Sequence, residues 1–143
     1  MLISTENITV RYAETDQMGV VYHGNYLVWC EIGRTKLIED MGYKYADVEK
    51  LGVLSPVTSV NMNYHFPAKY GETVTIQTWI EDYNGIRITY GYEIVNEAGV
   101  KCFSGTSGHV LVKKESFRPI SLKKHFPEWH EAYEKNIKTS AVK

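Results

Sequence analysis

The stretch from Asn25 to Asp40 constrains the fold more than any other part of this chain. Tyr26, Trp29, Cys30, Gly33, Leu37 and Met41 recur at helical spacing, which predicts a helix from Gly24 or Asn25 to about Asp40. Leu27, Val28, Ile32 and Ile38 widen its apolar stripe well beyond one narrow face, so such a helix needs other structure around most of its circumference. Asn25 is an acceptable N-cap and Gly42 fits as the C-terminal stop.

The wrapping has to come from strands. Ile8, Val10 and Tyr12 alternate with polar residues before the helix and predict a strand over residues 3–12. After the helix and a polar segment, the period stays at two. Val60, Met62, Tyr64 and Phe66 form one series, which Pro67 ends, and Val74, Ile76, Thr78 and Ile80 form the next. Asn84-Gly85 then predicts a two-residue type I′ hairpin leading into Ile86, Ile88, Tyr90, Tyr92 and Ile94. A turn at Asn96 to Gly99 starts a last strand, from Val100 to about Lys113. Read in order, the last four strands form a meander. Gly105 and Gly108 within the last one mark a bulge or a close backbone approach. The tail from Ser121 to Lys138, with Phe126, Pro127, Trp129 and Tyr133, predicts a short amphipathic helix. The class is α+β: one long helix against a curved antiparallel sheet of about five strands.

Length and charge exclude several functions. At 143 residues a single domain, 1–143, is expected, and a formal net charge of -1 advertises no polyanion partner, so nucleic acid is not expected. Cys30 and Cys102 lie far apart in apolar patterns without ligand spacing, which predicts buried, reduced thiols. The opening MLISTENITV lacks the basic start and apolar core of a signal peptide, and no run approaches the ~18 apolar residues of a membrane span. The expected location is the cytoplasm, without membrane insertion. None of the five histidines pairs with a second ligand at useful spacing, so no metal or other cofactor is called for.

Two motifs go further. Tyr12-Ala13-Glu14-Thr15-Asp16-Gln17-Met18-Gly19-Val20-Val21-Tyr22-His23-Gly24-Asn25-Tyr26 closely resembles the signature of the 4-hydroxybenzoyl-CoA thioesterase and YbgC-like acyl-CoA thioesterases, and His65-Phe66-Pro67-Ala68-Lys69-Tyr70-Gly71-Glu72 is a second match. The resemblance runs from about Ile8 to Val112. It implies a hotdog fold, hydrolysis of an acyl-CoA thioester to free acid and CoA, and a homodimer or homotetramer with active sites at subunit interfaces. It also implies a catalytic carboxylate at Asp16 and an oxyanion-binding backbone N–H at His23, beside Gly24.

The residue types suit that chemistry. A helix N-terminus offers unpaired N–H donors and a partial positive charge, which can shelter the negative charge developing on a thioester oxygen. A carboxylate at its mouth can act as general base on water or as nucleophile, and thiolate is a good enough leaving group to dispense with a strong acid. Taken by spacing alone, Asp16 could equally be a turn residue, and the His23 side chain either a structural imidazole or a polar contributor to the site. Tyr22 and Tyr26 read as pocket wall and core, and Glu14 as solvent-facing. Ser59, with Asn61 and Asn63, is a candidate for the acyl pocket or a dimer contact, and Arg87, Lys69, Lys113, Lys114 and Arg118 are candidates for the CoA phosphates. The alternative function is a non-catalytic module that holds acyl-CoA or acyl-carrier protein in the same groove.

Overall fold

A computed structural model describes residues 1–138; residues 139–143 of the expected domain lie outside the described residues. The elements run β1 (Ser4–Thr9), a 3₁₀ turn (Tyr12–Glu14), α1 (Asn25–Asp40), α2 (Tyr45–Lys50), β2 (Val53–Leu54), β3 (Val57–Tyr64), β4 (Thr73–Tyr83), β5 (Arg87–Val95), β6 (Lys101–Val110), β7 (Val112–Lys113), α3 (Leu122–His125) and α4 (Pro127–Asn136). Five strands form one antiparallel sheet in the order β1-β4-β5-β6-β3, while β2 and β7 pair in a small ribbon.

The predicted helix forms over the expected residues. Tyr26, Trp29, Cys30, Gly33 and Leu37 are buried against the sheet, facing Val74, Ile76, Tyr92, Ile94 and Phe103 in one core. Gly33 fixes how closely the two layers approach, because a Cβ there would run into Thr78 Oγ1. Gly42 follows the helix with φ +96°, a conformation glycine adopts without steric cost. The sheet covers less of the helix than expected: Leu27, Val28 and Ile32 remain 44%, 50% and 38% exposed in the single chain. The outer sheet face also needs less cover than its area suggests, since Thr75, Gln77, Asn61 and Asn63 there are polar.

Several local expectations are corrected. The first strand stops at Thr9, and Tyr12 sits exposed on the 3₁₀ turn, where the Glu14 carboxylate accepts the Arg11 N–H at 2.8 Å and bends the chain away from the sheet. Only β4, β5 and β6 form a meander. β3 pairs with β6 instead of β4, because the segment from His65 to Glu72, with Pro67 and the positive-φ Gly71 (φ +84°), carries the chain across to the opposite edge. Gly105 and Gly108 admit this neighbour: Cβ atoms there would lie 2.5 Å from the Asn61 carbonyl oxygen and 2.6 Å from Ser59 Oγ. Asn84-Gly85 does turn a hairpin, but with only Gly85 at positive φ (+96°), which rules out type I′. The Asn84 side chain instead accepts the N–H groups of Ile86 and Arg87 at 3.0 and 2.8 Å. The tail contains two short helices, with Pro127 opening the second, and Trp129 and Tyr133 pack into the core.

Candidate active site

The chain between β1 and α1 is folded tightly on itself. Thr15 bridges Val21, the Asp16 N–H donates to the Val20 carbonyl at 2.9 Å, and Gly19 turns the loop at φ +80°. Asp16 Oδ1 accepts the Met18 N–H at 2.8 Å in an Asx turn. Oδ2 has no hydrogen-bond partner among the described residues. The spacing-based turn role and a chemical role are therefore compatible in one carboxylate. The Val21 N–H donates to the carbonyl of the fully buried Ala68 at 2.9 Å, tying this loop to the segment after β3.

Glu14 anchors the loop from beneath. It was expected to face water, yet it is 5% exposed and accepts the Trp29 indole N–H at 2.9 Å. Burial alone would raise its pKa, but the Arg11 amide, the Trp29 indole and the Arg11 guanidinium outweigh that and hold it below the ordinary carboxylate value. Its backbone carbonyl accepts both the Tyr22 N–H and Asn25 Nδ2, each at 2.8 Å. Asn25 is thereby corrected: it is not the N-cap, a position Gly24 occupies, and its side chain instead ties the helix start to the Asp16 loop.

Two backbone donors lie just ahead of α1. The N–H groups of His23 and Gly24 have no acceptor among the described residues, whereas those of Asn25 and Tyr26 bond to Tyr22 and His23 carbonyls. The Tyr64 hydroxyl donates to the His23 carbonyl at 3.1 Å and so fixes this turn from β3. Gly24 has φ −67°, which any residue adopts; its need is for space, because a Cβ would stand 2.7 Å from the Tyr22 ring. The Tyr22 and His23 rings lie 4.4 Å apart, centroid to centroid.

Asp16 and His23 line one open cleft of about 280 Å³, together with Met18, Tyr26, Tyr64, His65, Phe66 and Cys102. Its walls are aromatic. Burial pushes the Tyr26 hydroxyl up to about 12 and raises Tyr64 and Cys102 as well, so these groups are neutral near pH 7 and the Cys102 thiol is no ready nucleophile. Both cysteines are free and buried, in line with their sequence context. Tyr64 and His65 are cleft residues whose part the alternation of β3 did not reveal.

Ser59 and Arg87 do not join this cleft in the single chain. Ser59 pairs with Gly108 and Arg87 with Val110, whereas the cleft meets β6 at Cys102. From Cys102 to Val110 is about 26 Å of extended strand. Lys69 stands beside the cleft segment; Lys113, Lys114 and Arg118 lie at the far end with Arg87.

Comparison with known proteins adds identity to this geometry. The description "Thioesterase-like superfamily" matches residues 10–131. The chain is 59% identical to YneP of Bacillus subtilis (strain 168) over 135 residues, covering 94% of this chain and 98% of that one. It is 28% identical to the acyl-CoA thioesterase YbgC of Helicobacter pylori (strain ATCC 700392 / 26695), over 83% of this chain and 93% of that one. Among solved structures, a DHNA-CoA thioesterase from Staphylococcus aureus superimposes with a TM-score of 0.91 at 47% identity, covering 94% of this chain and 91% of that one.

Proposed function

We propose that this chain, which belongs to the thioesterase-like superfamily, hydrolyses an acyl-CoA thioester to a free acid and CoA. One observation carries the reading: a carboxylate with a free oxygen, Asp16 Oδ2, lines a single cleft with His23, whose N–H and that of the adjacent Gly24 have no acceptor among the described residues. Asp16 either deprotonates a water or attacks the carbonyl carbon itself, giving an anhydride that water then opens. The oxyanion of the tetrahedral intermediate is received by the N–H groups of His23 and Gly24, where one well-placed donor contributes about 2.7–4 kcal/mol. The C–S bond breaks with the electron pair on sulfur, and thiolate leaves. Tyr22 and Tyr26 frame the helix start, and Asn25 holds it to the Asp16 loop through the Glu14 carbonyl.

The proposed assembly is a homodimer or homotetramer of the whole 1–143 unit. β3 is an open edge strand, and the outward stripe of α1 at Leu27, Val28 and Ile32 is apolar and uncovered. In such an assembly Ser59 and Arg87 serve the cleft of a second copy. Among the described residues no helix is long and apolar enough to cross a membrane, and the two free buried thiols suit the cytoplasmic setting proposed here.

The test is thiol release from a panel of acyl-CoAs by wild type and by Asp16→Asn. The variant is expected to fold normally and to lose at least ~10²-fold in kcat. Near-wild-type release by Asp16→Asn rejects the assignment, and tight acyl-CoA binding by wild type without release favours the non-catalytic module.

A further inference from the structure

A second cavity, of about 20 Å³, lies between α1, β2, the sheet strands β5 and β6, and α4, and it shares no lining residue with the Asp16 cleft. Ile38, Val48 and Leu111 make its apolar walls, and Arg34, Ser55, His109 and Trp129 line it with polar groups. Two of those groups are orphaned. Trp129 is only 3% exposed, and its Nε1 and the buried Ser55 Oγ have no hydrogen-bond partner among the described residues. Other polar wall groups are already committed. His109 Nε2 lies 2.8 Å from Ser107 Oγ and Nδ1 lies 3.1 Å from the Ser55 carbonyl oxygen, while the Tyr90 and Tyr133 hydroxyls lie 3.1 Å apart. Buried polar groups are nearly always paired, so an orphaned indole and hydroxyl on one cavity call for an occupant. An indole N–H can only donate, so that occupant must accept.

Charge decides which kind of acceptor fits. The Arg34 guanidinium stays protonated, and its Nη1 donates to the Tyr92 hydroxyl at 3.0 Å. Burial, and beyond it the Arg34 charge, push the His109 imidazole down to about 4, so it is neutral near pH 7 and adds no charge of its own. Among the described residues no Asp or Glu lines the cavity. Positive charge in a wall of low dielectric favours an anion over a neutral water. Size narrows the choice further. One water needs ~10–15 Å³, so the cavity takes a single monatomic ion and is too small for sulfate or phosphate.

We propose that this cavity binds one halide ion of chloride size, held by the Trp129 indole N–H, the Ser55 hydroxyl and the Arg34 guanidinium. The ion ties α4 and β2 to the central helix, so its binding stabilises the folded chain. The site stands apart from the thioesterase reading, and its test needs no substrate.

The experiment follows thermal unfolding while sodium chloride, up to about 0.5 M, replaces sodium gluconate at constant ionic strength, gluconate being too large to enter. A ligand bound only by the folded chain at ten times its Kd raises the folding constant about ten-fold, a Tm shift of about 4–6 °C for a chain of this size. Wild type should show that rise. Trp129→Phe, which keeps an aromatic ring but loses the N–H, and Arg34→Met, which keeps the stem but loses the charge, should melt cooperatively with little dependence on chloride. A second measurement stands even if neither variant folds: diffraction from wild-type crystals soaked in sodium bromide, recorded at the bromine absorption edge, should place a bromine peak in the cavity beside Trp129 Nε1. A Tm indifferent to chloride, an undiminished shift in folded Trp129→Phe, or cavity density without a bromine signal, which identifies a water, overturns the halide site.

Discussion

Glu14→Gln separates a buried structural carboxylate from a second catalytic one. Glu14 Oε2 accepts from Trp29 Nε1 at 2.9 Å and Oε1 from the Arg11 N–H at 2.8 Å, and Trp29 itself is fully buried. The carboxamide has the same shape but one acceptor oxygen, so either the indole or the Arg11 amide must face an NH₂. An unpaired buried donor costs about 1–3 kcal/mol. The Arg11 amide lies nearer water and can be rehydrated more cheaply, so Gln should settle with its oxygen toward Trp29 and cost about 1.5–3 kcal/mol in all. Glu14→Ala orphans the indole and also loses packed methylenes at ~0.8 kcal/mol each, reaching about 3–5 kcal/mol, a large part of a typical domain's stability. Urea unfolding followed by far-UV circular dichroism, with m unchanged, measures this. The pH dependence follows in sign. The folded carboxyl lies below its ordinary value, so its contribution is fully present above the unfolded value near pH 4.5 and is lost as pH falls through the folded one. Glu14→Gln should lose that part of the acid sensitivity. An unchanged urea midpoint in Glu14→Gln, with hydrolysis abolished, would refute the structural assignment and make Glu14 a reacting group.

The remaining predictions concern the sheet. Burial pushes the His109 imidazole down to about 4, between the Ser55 carbonyl and Ser107 Oγ at 3.1 and 2.8 Å. The neutral form is the folded one, so stability is full above pH ~6.5 and falls toward pH ~4 by up to about 3 kcal/mol. His109→Gln should flatten the melting temperature between pH 7 and 5, and parallel curves for the two proteins would count against the buried neutral imidazole. Gly33→Ala forces a methyl into Thr78 Oγ1 at the helix–sheet contact. It should destabilise by about 1–3 kcal/mol despite the better helix propensity of Ala, a balance that chemical denaturation reads directly.

What the sequence disclosed follows from which interactions are local. A helix face and a strand face repeat along the chain, so α1 and the alternation of β3 to β6 were legible from spacing. Which strand pairs with which is decided across the sheet. Gly105 and Gly108 did signal a close neighbour, but nothing in period two says that the neighbour is β3 and not β4. The motif placed Asp16 and His23 at one cleft because both lie within a few residues of the same turn. Glu14 and Asn25 were misread for a related reason: spacing assigns a polar residue to solvent or to a cap, while its true partner here, the Trp29 indole or the Glu14 carbonyl, comes from an element folded back over it. A signal for Glu14 did exist. A Trp on the inward face of a helix must find an acceptor for its indole N–H, and a carboxylate on the turn that precedes the helix is one group able to supply it. Buried donors on a helix therefore predict where a preceding loop must carry its acceptors, and that same demand is what brings the Asp16 loop down onto the amide end of α1.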